Sequence, residues 1–90
     1  MRIDGDTIFF KTGPEWYLAE KNGLKPFTIR LVTEAEWGDI KCWWNGAGPH
    51  NIQISSTFSG DGFTRPVELI GVCMEGLGQR LIFISWRRLE

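Results

Sequence analysis

Ninety residues with a formal net charge of -1 leave room for one hydrophobic core and argue against a protein whose main work is coating nucleic acid through a strongly basic surface. Five Trp and six Phe place the composition in the globular range and argue against disorder. Cys42 and Cys73 stand far apart and form no C-x-x-C pair, so the expectation is two buried thiols in a reducing cytosol, with no disulfide framework, metal site or cofactor.

Residues Met1 to Asp6 carry two acids and no apolar run. No stretch approaches the about eighteen apolar residues of a membrane span, so the chain reads as one cytoplasmic domain, residues 1–90, without signal peptide or membrane contact. Thr7-Ile8-Phe9-Phe10 is β-branched and aromatic and predicts a first strand. Thr12 precedes Glu15 by three, the capping-box spacing, and Pro14 falls in the first turn, predicting a helix from Glu15 to about Asn22 that Gly23 ends. Trp16 and Ala19 fall on one side of it, Glu20 and Lys21 on the other.

No second helix is predicted. Strands are expected over Phe27 to Val32, Asp39 to Asn45, Asn51 to Phe58, Phe63 to Cys73 and Arg80 to Trp86, separated by turns at 46–49, 59–62 and 75–78, the last two as hairpins. Asn51 to Ser55 alternates polar and apolar, as a strand with one wet face does, whereas Val67 to Val72 and Leu81 to Ile84 are apolar throughout and belong at the centre of a sheet. Pro66 cannot donate to a ladder and marks a bulge or strand start. These elements predict an α+β fold, mostly β, in which the sheet curls into a small mixed barrel with the one N-terminal helix at an end.

Lys25, Thr28 and Arg30 fall within six residues, with Thr28 and Arg30 on one face of a strand and Lys25 in the bend before it. An ammonium, a hydroxyl and a guanidinium converging there suit an anionic or carbonyl-bearing ligand. Two solvated charges on a wet strand explain the same spacing.

The run Tyr17-Leu18-Ala19-Glu20-Lys21-Asn22-Gly23-Leu24-Lys25-Pro26-Phe27-Thr28-Ile29-Arg30, followed by Gly38-Asp39-Ile40, resembles the entry motif of ASCH domains, a branch of the PUA-like barrels. There a short helix leads into Lys-x-x-Thr-x-Arg, and a Gly-Asp turns the chain into the next strand. The resemblance implies a cytoplasmic ASCH-like domain that binds RNA, a nucleotide or a modified nucleoside in a cleft beside the helix. One branch resembling this segment hydrolyses N4-acetylcytidine and related amides with a Lys, a Thr and a Glu. On matching positions Lys25 assists proton transfer and Thr28 is the nucleophile, since a Thr hydroxyl attacks only once a base takes its proton. The carboxylate has no secure match. Glu68, in an otherwise apolar strand, is preferred to Glu75, although a salt bridge at the rim explains Glu68 as well.

Trp43 and Trp44, adjacent in a strand, point to opposite faces, so one of them can line the cleft. Trp37, beside Gly38, can lie over the site, while Trp16 and Trp86 are expected in the core. His50, in a glycine-rich loop, is expected to be solvated. Arg87 and Arg88 form a basic end that serves solubility or extends a nucleic-acid track. Three functions remain open: a binding module with Lys25, Thr28, Arg30, Trp37 and Trp43 as ligand contacts, an amidohydrolase using Lys25, Thr28 and Glu68, and a small mobile-element-type protein that binds or inhibits a protein partner through exposed Trp side chains.

Overall fold

Alternation of side chains decides the sheet's inner face. In strands Thr7–Thr12 and Asn51–Ser56 every second residue is buried: Ile8, Phe10 and Thr12 in the first, Ile52, Ile54 and Ser56 in the second. The computed structural model describes residues 1–57 and 61–87. Its elements are β1 (Arg2–Asp4), β2 (Thr7–Thr12), α1 (Pro14–Lys21), β3 (Phe27–Thr33), α2 (Glu34–Asn45), β4 (Asn51–Ser56), β5 (Gly62–Gly76) and β6 (Gln79–Trp86). The fold is α+β and mostly strand, with six strands in the order β1-β2-β4-β5-β6-β3. Only β2 and β4 run parallel among these pairs.

Register carries the packing. Ile8 lies opposite Ile52 and Phe10 opposite Ile54 across the parallel pair, and Thr28 and Arg30 lie opposite Ile84 and Ile82 across β3 and β6. Ile8, Ile40, Ile52, Ile54, Ile82 and Ile84 are fully buried, each stabilising the fold by about 1.5–3 kcal/mol. Because Thr28 and Arg30 share the face of Val32, they point at this core.

The central position expected of β5 and β6 is observed. β5 serves two neighbours in turn, pairing with β4 up to Pro66 and with β6 from Val67. Pro66 stands at that switch, just before the register shift between Val67 and Leu69. Its carbonyl accepts from Arg87 N–H at 2.9 Å, and the donor it lacks is asked for by neither ladder. The 75–78 hairpin forms with Leu77 at φ 52° and Gly78 at φ 75°, the paired positive angles that a two-residue turn needs to follow the twist of its strands. The 59–62 turn and Phe58 fall largely outside the described residues.

Several expectations change. The strand predicted over Asp39 to Asn45 is the second half of helix α2, so the described residues hold two helices rather than one. Its start is a capping box: Thr33 Oγ1 accepts Glu36 N–H at 3.1 Å and Glu36 Oε1 accepts Thr33 N–H at 2.9 Å. Trp37, Ile40 and Trp44 then recur at helical spacing, with Ile40 fully buried and both Trp packed on the core. Gly38 lies inside this helix, so the expected Gly38-Asp39 turn is not made.

At α1, Gly13 rather than Thr12 is the N-cap, although Gly23 does follow the helix with φ 79°. The face α1 buries carries Tyr17 and Glu20, and Trp16, expected inside, is 54% exposed. Trp86 is in the core as expected. Cys42 and Cys73 are free but exposed, not buried. The sheet is open, with β1 and β3 at its edges, and no ladder closes it into a barrel among the described residues. Among them no helix is long and apolar enough to cross a membrane.

Candidate functional site

Gly23 lets the chain reverse after α1, and Lys25 N–H returns to Ala19 carbonyl at 3.0 Å. Pro26 follows, its carbonyl fixed by Trp86 N–H at 3.1 Å, and β3 begins. This short bend brings Lys25 back over the helix. Its Nζ lies 2.8 Å from Glu20 Oε2, with Glu20 entirely buried and the Lys25 side chain 23% exposed. The rings of Trp16 and Phe27 each lie 5.3 Å from the same ammonium, so it is held between an acid and two aromatic faces.

Thr28, three residues after Lys25, is 2% exposed. Arg30 Nε donates to Thr28 Oγ1 at 2.8 Å, its Nη1 donates to Lys11 carbonyl on β2 at 2.6 Å, and its guanidinium lies 5.1 Å from the Phe10 ring. Burial holds the Arg30 guanidinium below its ordinary pKa, against the opposing pull of the Glu20 carboxylate.

Beyond residue 9, β2 has no partner on its β1 side, and β3 is the sheet's other edge. The Arg30 to Lys11 bond reaches between these two strands. Along them runs a groove of about 630 Å3 lined by Arg2, Phe9, Lys11, Arg30, Glu36 and Gln53, among others, within the range of small-molecule sites.

On α1, Glu20 Oε1 and the Tyr17 hydroxyl are buried with no hydrogen-bond partner among the described residues. Buried polar groups are normally satisfied, so these two atoms give the α1 face polar capacity that the protein's own groups do not use. Tyr17 stacks at a tilt on Phe63, 5.7 Å between centroids.

Thr28 and Arg30 are thus brought together, while Lys25, in the bend before them, is paired with Glu20; of the three, Arg30 alone is among the groove's lining residues. Sequence reasoning assigned Glu20 to the polar side of its helix. Its i, i+3 spacing from Tyr17 is the signal that both share one face. Glu68 points elsewhere, 3.7 Å from Arg87, and both are exposed; Arg88 and the side chain of Glu75 lie outside the described residues.

Trp37 packs on the core from α2, with Lys41 Nζ 5.9 Å from its ring. Trp43 donates from Nε1 to Gly5 carbonyl at 3.0 Å. His50, expected to be solvated, is half-buried between Trp43 and Trp44, at 4.8 and 5.0 Å, and bonds through Nε2 to Trp43 carbonyl at 2.7 Å. A carbonyl only accepts, so Nε2 carries the proton. Both adjacent Trp are therefore engaged in seating the 46–50 loop on α2. Among the described residues no group of three or more His, Cys, Asp or Glu stands ready to hold a metal.

No protein-family model, curated protein or solved structure matches the chain.

Proposed function

We propose that this chain is a binding module for a nucleotide, modified nucleoside or RNA segment, taken in the cleft around Lys25 to Arg30. The observation that carries the reading is Arg30, a guanidinium stripped of much of its water, oriented by Thr28 and the Lys11 carbonyl, and bordering a groove of small-molecule size. A fixed donor fork of this kind recognises phosphate, carboxylate or carbonyl groups with little ordering left to do on binding. The Lys-x-x-Thr-x-Arg resemblance supports an ASCH-like, PUA-like assignment for the same segment. The Gly-Asp part of that motif contributes nothing, because Gly38 and Asp39 are helical.

An amidohydrolase is the second reading, and Glu20 is what favours it. A buried carboxylate paired to Lys25, three residues before Thr28 in the chain, offers the third group that Glu68 does not. In that chemistry Thr28 Oγ attacks the amide carbonyl while its proton passes to a neighbouring base. The amine leaves with a proton, and water then cleaves the ester to free the acid.

Purified protein incubated with ribonucleosides, N4-acylated cytidines, nucleotides and short RNAs, followed by mass spectrometry and thermal shift together, separates the readings. Stabilisation without mass change, lost in Arg30→Gln, is expected of the module. Loss of the acyl mass, abolished by Thr28→Ala, establishes the hydrolase. Silence in both channels refutes both.

A further inference from the structure

The groove beside β2 and β3 concentrates positive charge that the chain as a whole lacks. Formal net charge is -1, yet Arg2, Lys11 and Arg30 line this one groove, and Glu36 is the only carboxylate among its described lining. Glu36 is committed to the helix cap through its bond from Thr33 N–H. Like charges gathered in a concave site repel one another, and they focus the field on whatever anion enters.

Each arginine is also held so that donors remain. The Arg2 guanidinium lies over Phe9, 4.2 Å from the ring centroid, and a guanidinium set against an aromatic face keeps N–H groups available for hydrogen bonds. Arg30 uses Nε and Nη1 on protein atoms, while Nη2 has no protein partner among the described residues. Lys11 is exposed at the rim and adds a point charge. Gln53 and Ser55 line the same space with uncharged donors and acceptors. Two guanidinium edges and an ammonium around one volume of about 630 Å3 match a phosphate with its three oxygens, and the remaining room fits an attached group of small-molecule size.

We propose that the groove binds the phosphate of a mononucleotide-sized phosphomonoester through Arg2, Lys11 and Arg30, so that the ligand is a nucleotide and not a free nucleoside. This rests on reading the cleft as a nucleotide or nucleoside site, and it narrows the ligand class.

The test is calorimetric titration of the full chain with the four ribonucleoside 5′-monophosphates, the four parent nucleosides, inorganic phosphate and a short RNA without terminal phosphate, at low and high salt. At least one monophosphate is expected to bind about tenfold or more tightly than its nucleoside and to weaken as salt rises. Arg2→Gln and Lys11→Gln, both at exposed positions, are expected to lower that affinity severalfold each while the protein stays folded at the assay temperature, Arg2→Gln losing a few degrees of melting temperature with its contact on Phe9. A nucleoside that binds as well as its monophosphate overturns the inference while leaving the cleft reading intact. Binding of the RNA alone, or of inorganic phosphate as tightly as any nucleotide, also overturns it. Absence of any binding overturns inference and cleft reading together.

Discussion

Lys25→Ala is the substitution that asks most of this fold. It leaves Glu20, fully buried and with one oxygen already lacking a partner, without the ammonium 2.8 Å from the other. Removing one member of a buried ion pair costs about 3–5 kcal/mol because the remaining charge is uncompensated. The Lys25 end is partly open to water, which puts the expected loss near the lower bound, about 3 kcal/mol. For a chain of this size that corresponds to a fall of about 12–24 °C in melting temperature.

The double variant Lys25→Met with Glu20→Leu removes both charges and is expected within about 1 kcal/mol of the parent, since an apolar pair can replace a buried ion pair at little cost. Urea denaturation followed by tryptophan fluorescence measures all four corners of the cycle. Trp16, 5.3 Å from the Lys25 ammonium, lies close enough to report the site itself. A loss below about 1 kcal/mol in Lys25→Ala, or a double variant that loses the sum of the two single losses, refutes the view that burial makes this pair interdependent.

Tyr17 is the sole tyrosine, so absorbance near 295 nm follows it alone. Burial, aided by the Asp61 carboxylate and opposed by Arg65, raises its pKa. The unfolded chain therefore releases this proton first as pH passes about 10. Stability from Tyr17 is complete below that pH and is lost as pH rises through the folded value, so the phenolate signal and near-ultraviolet dichroism should change together. A phenolate that titrates at about 10 with the fold intact contradicts this. Leu77→Asn relieves a branched side chain at φ 52° and is expected to raise stability by about 0.5–1 kcal/mol in urea titrations; a loss there would show that Leu77 contributes contacts after all. Thr33→Ala removes the cap of α2 and should cost about 1 kcal/mol by the same assay, whereas an unchanged midpoint would mean the capping box is inert.

Where local chemistry decides the outcome, the sequence was readable. Pro14 and Gly23 bracketed α1, alternation marked β4, and Pro66 marked the place where β5 changes partners. At α2 the adjacent Trp43 and Trp44 suggest a strand, whereas Thr33 and Glu36 carry the same capping-box spacing as Thr12 and Glu15 and start a helix. At α1 the N-cap is Gly13 and not Thr12, which shows how little three residues decide without the face behind them. Lys25, Thr28 and Arg30 were legible because they share one short segment. Glu20 was not, because its partner lies across a bend, and only the buried face of α1 reveals that a carboxylate points inward. The roles of Arg2 and Lys11 depend on β1 and β2 standing opposite β3 in space, a relation between distant segments that no local pattern records.

One consequence of the strand order concerns time rather than geometry. β3, which carries Thr28 and Arg30, has a single ladder in the sheet, and that ladder is with β6. During synthesis β3 is made before residues 79–86, so it has no ladder partner while α2, β4 and β5 are added. Closing so long a loop is slow. The groove along β2 and β3 is therefore among the last features to take shape, and a chain stopped short of β6 lacks it although every charged residue that lines it has already been made.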